Sequence, residues 1–195
     1  MDKNTDEIIQ QIRDLRHKLV CSQIFSGYSG RARIIGGAVA LLGGLYISSE
    51  SYPQTNEAHF QAWLLIGLLS FLINIGGLLI WNFKSKGNLL NLLPTLDIVA
   101  PLFIASVLSL SLILNDQYNY LFGTWMCLFG LVHTSSRHST TRGIFLLGWY
   151  YIICGTFLVL SHPLMSFLNP MPMAFVFFIG EIIGGYLFIK TRNQE

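Results

Sequence analysis

The chain has 195 residues, of which 52% are hydrophobic and 11% charged, with a formal net charge of +2. An ordinary soluble domain carries about 25% charged residues, and here the apolar residues are gathered into long runs almost free of charge, the pattern of segments solvated by lipid. A water-soluble fold and a nucleic-acid-binding surface are both excluded, and the expectation is an all-α polytopic transmembrane helix bundle.

Residues 1–31 are polar and lack the apolar stretch of a cleavable signal peptide, so the N-terminus is expected to be retained. Within them, residues 5–20 read as an amphipathic helix. Ile8, Ile12, Leu15 and Leu19 share one face, Thr5 is placed to cap it, and Arg13, Arg16 and Lys18 lie on the others. Such a helix is expected on the inner membrane surface beside anionic headgroups, or against a partner protein or a second copy of the chain. Ser26-Gly27-Tyr28-Ser29-Gly30 then breaks it. Gly27-Tyr28-Ser29-Gly30 matches in letters the GxSG of rhomboid-type intramembrane serine proteases. The context differs, because this serine sits in a linker and the last span has no histidine.

A hydrocarbon core of about 30 Å needs around 20 apolar residues per helix. Six segments qualify, near 32–49, 61–82, 95–114, 118–135, 143–161 and 172–190, followed by a tail at 191–195. The first carries Gly36, Ala40 and Gly44 at spacing four, and the last carries Gly180 and Gly184. Small-residue faces of this kind let helix backbones approach in lipid, within the bundle or between copies. Trp63 and Trp81 bracket the second span, and Tyr118 and Tyr120 open the fourth, as interfacial anchors. The connection 82–94 holds an apolar run at 89–93 and ends on Pro94, which suits the start of the third span. The connection 161–172, with Pro163, Pro170 and Pro172, is expected to be stiff.

With six spans, all twelve Lys and Arg fall on one side, including Arg31 and Arg33, while the alternate connections carry Glu50, Glu57 and Asp116. By the positive-inside rule both termini are then cytoplasmic.

Polar groups inside spans are the candidate functional residues. Glu181 lies near the middle of the last span with no Lys or Arg assigned to the membrane beside it, so it is expected to be protonated and hydrogen-bonded, with Asn74 at matching depth as its partner. Tyr150 and Tyr151, next to Trp149 in the fifth span, need partners for their hydroxyls and are expected to pack within the bundle, or else to line a cavity with Glu181. Asp97 falls in the first turn after Pro94, where the helix dipole favours an acidic group. His133 and His138 flank the inner end of the fourth span, and His59 and His162 face outside, so no haem or metal site is expected. Cys21, Cys127 and Cys154 are too scattered for a disulfide framework or a zinc site. No catalytic motif is present, and neither a cofactor nor a partner beyond the lipid bilayer is required.

Ile12-Arg13-Asp14-Leu15, then Phe25-Ser26-Gly27-Tyr28-Ser29-Gly30 and the glycine-rich first span, resembles a group of uncharacterised bacterial six-span proteins in which an IRxLM helix leads to an SGxSG turn. Leu121-Phe122-Gly123 through Gly130-Leu131, and Gly143-Ile144 onward, look like the fourth and fifth spans of that group. Arg16-His17-Lys18 departs from it by carrying more charge. The resemblance implies a bacterial inner-membrane setting and no established activity. The expected function is accordingly a non-enzymatic sensor, regulator or assembly partner, with a small proton- or ion-coupled transporter or channel using Glu181 as the alternative and an intramembrane enzyme third.

Overall fold

A computed structural model of the chain describes residues 29–84, 99–135, 141–161 and 166–192. The expected surface helix at 5–20, Asp97, His138, His162 and Cys21 lie outside the described residues. Six α-helices make up the described chain: α1 (Gly30–Ile47), α2 (Asn56–Lys84), α3 (Val99–Leu114), α4 (Leu121–Ser135), α5 (Arg142–Leu160) and α6 (Met171–Arg192), with a short 3-10 turn at Tyr118–Tyr120 leading into α4. No strand occurs among the described residues. Four helices, α1, α2, α5 and α6, are long and apolar enough to cross a membrane, and α3 is a shorter apolar helix.

Helix ends follow from local chemistry. Ser29 caps α1, its hydroxyl accepting from the Ala32 backbone N–H at 3.3 Å, so the serine of the GxSG match has a capping role here. This cap starts α1 two residues earlier than the expected span, and Arg33 lies at the end of the helix's first turn. Between α3 and α4, Asp116 adopts φ 56°, a left-handed conformation that a short polar side chain tolerates.

Packing divides the helices into two groups. α1 lies along α6 and carries α2 on its flank; α4 lies along α5 and carries α3. The groups meet mainly where α5 runs beside α6. Small residues set both long pairings. A Cβ at Gly130 would stand 2.5 Å from the Gly148 carbonyl oxygen, and one at Gly155 would stand 2.7 Å from that of Gly123, so α4 and α5 touch backbone to backbone. α1 and α6 do the same where Gly30 meets Gly185.

The glycines singled out from the sequence are spread over several contacts. Gly36 faces Ser70 and Asn74 of α2, Gly44 faces Ala174 of α6, Ala40 is buried, Gly180 faces the Tyr151 ring, and Gly184 faces Arg33 and Leu147. α2 and α3 are different in kind: Leu65 of α2 is 67% exposed and Phe103 of α3 is 70% exposed, and only Ser109 of α3 is buried. With so little of their apolar surface covered by protein, lipid is the medium that solvates them.

Two apolar clusters fill the seam between the groups. One contains Trp63, Phe122, Met126, Phe167 and Met173 near the start of α2 and of α4. The other contains Ile144, Leu147, Tyr151 and Phe188 towards the opposite end.

A candidate functional site: a buried ion pair held from both halves

The polar centre of the molecule is built from one residue on each of the four central helices. Arg33 lies three residues into α1, so about 5 Å along its axis. His133 lies two residues before the end of α4, whereas Tyr151 and Glu181 fall near the middles of α5 and α6. Two helices thus run past the site and two terminate beside it.

Arg33 and Glu181 form a side-on, two-point ion pair. Nε of Arg33 donates to Oε2 of Glu181 at 2.9 Å, and Nη2 donates to Oε1 at 2.6 Å, with both side chains buried. This fork geometry is that of a guanidinium facing a carboxylate, where each bond is charge-assisted. Oε1 also accepts from the Tyr151 hydroxyl at 3.0 Å. Nη2 reaches His133 Nε2 at 2.9 Å, while His133 Nδ1 lies 2.8 Å from the Phe129 carbonyl oxygen. A guanidinium has donors only, so Nε2 must accept and the imidazole proton sits on Nδ1, donated to Phe129. The histidine is therefore the neutral tautomer, and the charges of Arg33 and Glu181 cancel.

Aromatic rings fix this geometry. Tyr151 is wholly buried, with Phe129 edge-on at 5.0 Å and Phe177 at 5.2 Å. The His133 ring lies tilted against Phe129 at 4.6 Å, and the guanidinium carbon of Arg33 lies 5.6 Å from the centre of the Phe188 ring. Burying two charges is costly, and a pair holds its own only when its remaining hydrogen-bonding capacity is also met. Tyr151 and His133 supply that capacity here, and both come from the other half of the molecule.

The surroundings of Glu181 differ from the sequence expectation in two ways. Glu181 does have a cationic partner, Arg33 in the first turn of α1; counting Arg33 with the charges at the inner surface hid the pair and was the ground for expecting a protonated acid. Asn74 is not the partner of Glu181. Its amide donates to the Ser70 carbonyl at 2.9 Å and sits against Gly36, because α2 packs on α1 rather than on α6. Matching depth was right in principle and says nothing of direction around the bundle.

Of the two tyrosines, Tyr151 reaches Glu181, whereas the Tyr150 hydroxyl donates to the Val176 carbonyl at 3.1 Å and ties α5 to α6 elsewhere. Arg33 and His133 were missed as site residues. Their only sequence signal was that each lies within one turn of a span end on the same expected side as the other. Among the described residues no cluster of three or more His, Cys, Asp or Glu is arranged to hold a metal ion.

No protein-family model matches the sequence, and no curated protein and no solved structure shows significant similarity to the chain.

Proposed function

We propose that this chain is a six-span protein of the bacterial inner membrane with both termini in the cytoplasm, and that it works as a non-enzymatic sensor or regulator by shifting its two three-helix halves against each other. The observation that carries this reading is the distribution of the polar centre. The ion pair belongs wholly to the α1–α6 side, and the two hydrogen bonds that complete it come from α4 and α5. Any event that alters the pair is therefore felt across the seam. The proposed amphipathic segment at 5–20 is joined through residues 21–29 to α1, the helix that carries Arg33, which connects a partner on the inner surface, or a second copy of the chain, to the ion pair along the chain. With Arg33 inside the bundle, the remaining Lys and Arg still alternate between connections as the proposed topology requires.

Spin labels at Leu79→Cys on α2 and Leu102→Cys on α3, in a background lacking the native cysteines, measure the separation of the halves. Glu181→Gln is expected to shift or broaden the distance distribution relative to the parent. An unchanged distribution sinks the reading.

Transport is the second reading, favoured by the placement of a buried pair of opposite charges level with the middle of α6. Proteoliposomes carrying the wild type should then dissipate an imposed pH gradient faster than those carrying Glu181→Gln, and equal rates reject it.

A further inference from the structure

The seam between the halves has a second set of polar groups, at the end away from the ion pair. His59 is fully buried on α2, and neither ring nitrogen has a hydrogen-bond partner. One turn further along the same face, Trp63 is buried with its indole N–H equally unpartnered. The backbone of Phe167 stands beside the His59 ring, short of hydrogen-bond geometry. The Tyr52 hydroxyl, whose ring lies 5.6 Å from His59, is already spent on the Ala58 carbonyl. Facing these groups across the seam is Phe122 of α4, 5.5 Å from Trp63 and 4.6 Å from Phe167. Buried polar atoms are nearly always paired, so two side chains one turn apart with three unpaired nitrogens require an explanation.

We propose that this end of the seam opens, and that His59 and Trp63 are the hydrogen-bonding face of a site for a small neutral solute bearing hydroxyl or amide groups. The chemistry of the face sets the class. An indole supplies a donor only, and a neutral imidazole supplies one donor and one acceptor whichever tautomer it adopts. A matching solute must accept twice and donate once. An anion would find no counter-charge, because the connections 48–55, 115–117 and 161–170 contain no Lys or Arg. A cation would meet the indole N–H head-on. The rings of Phe122 and Phe167 supply flat apolar walls for the carbon skeleton. Parting Phe122 from Trp63 breaks no hydrogen bond at either ring, and the bond from the Phe167 backbone N–H to Asn119 Oδ1 at 2.9 Å lets Phe167 move with the start of α4, whereas parting the other end must break those of His133 and Tyr151, so opening starts at the aromatic end.

This inference rests on the packing at that end and on neither the sensor reading nor the membrane topology. Diethyl pyrocarbonate acylates neutral imidazoles, and mass spectrometry of the wild-type protein in lipid locates the product. Both His59 and His133 are buried in the closed form, and His59 is expected to react about tenfold faster, as a group exposed by local opening. Acetamide as the probe should slow His59 modification saturably, and acetate should not. Trp63→Phe should abolish that protection while leaving His59 reactive, separating solute binding from opening. Equal protection of the two histidines overturns the opening. Reaction of His59 without saturable protection by acetamide, or with equal protection by acetate, means a recess that takes water only or lacks selectivity, and overturns the site.

Discussion

At one end of the seam the two halves meet through hydrogen bonds to a buried ion pair, and at the other through aromatic rings. Around Arg33 and Glu181 the carboxylate accepts from two residues and His133 is engaged at both ring nitrogens. Around Trp63 and Phe122 the contact is ring on ring, and the nitrogens of His59 and Trp63 are left over. In lipid, where apolar surface gains little from being covered by protein instead of acyl chains, packing and hydrogen bonds decide which contacts persist. The polar end is thus specific and hard to part. The aromatic end is held by dispersion and by one hydrogen bond, from the Phe167 N–H to Asn119 Oδ1, and carries a standing cost of about 1–3 kcal/mol for each unpaired buried group.

The contrast can be broken most sharply at Glu181. Glu181→Ala strands the guanidinium of Arg33 and is expected to cost about 3–5 kcal/mol of unfolding free energy measured in bicelles. The double variant Arg33→Met/Glu181→Leu should recover most of that loss, and failure to recover would show that the pair is more than self-compensating. Gly180→Ala comes next, because its methyl group would collide with the Tyr151 hydroxyl and push it from Glu181; a loss of about 1–3 kcal/mol is expected. Tyr151→Phe removes one hydrogen bond and keeps the ring, so the same assay should read about 0.5–2 kcal/mol. Smallest is His59→Phe, expected to be neutral or to raise stability by up to about 1 kcal/mol, since it deletes an unpaired polar group. A clear loss at His59 would mean that it has a partner, and the two ends would cease to differ.

Much of the helical frame was legible because lipid imposes long apolar runs. The expected segments at 143–161 and 172–190 sit within two residues of α5 and α6 at each end. α2 is longer than the run at 61–82 because its polar first turn from Asn56 and its last turn to Lys84 are helical without being apolar. The 3-10 turn at Tyr118–Tyr120 was absorbed into the fourth span, since hydrophobicity does not separate a tight turn from an α-helix.

The site was half legible. A carboxylate in an apolar run is conspicuous, and Tyr151 was found by the same logic. Arg33 was not, because an arginine at a span end is ordinarily a headgroup contact, and its place in the expected span does not say whether its side chain faces lipid headgroups or the bundle. The seven-residue spacing of Gly123 with Gly130, and of Gly148 with Gly155, was a readable sign of the α4–α5 contact that spacing-four motifs concealed. Which helix neighbours which is a question of direction around the bundle, and a single sequence fixes depth far better than direction.

The bond between Arg33 and His133 has a consequence for charge movement. Hopping of a proton from group to group needs each member of the row to give one up and take one in turn, and a guanidinium neither loses its protons in a protein nor accepts another. Standing between the imidazole of His133 and the carboxylate of Glu181, Arg33 interrupts any such row. The Tyr151 hydroxyl already points its hydrogen at the carboxylate, so that side offers no detour. In this arrangement the centre is an insulator, and a proton current through it would begin only after the arginine side chain had swung away.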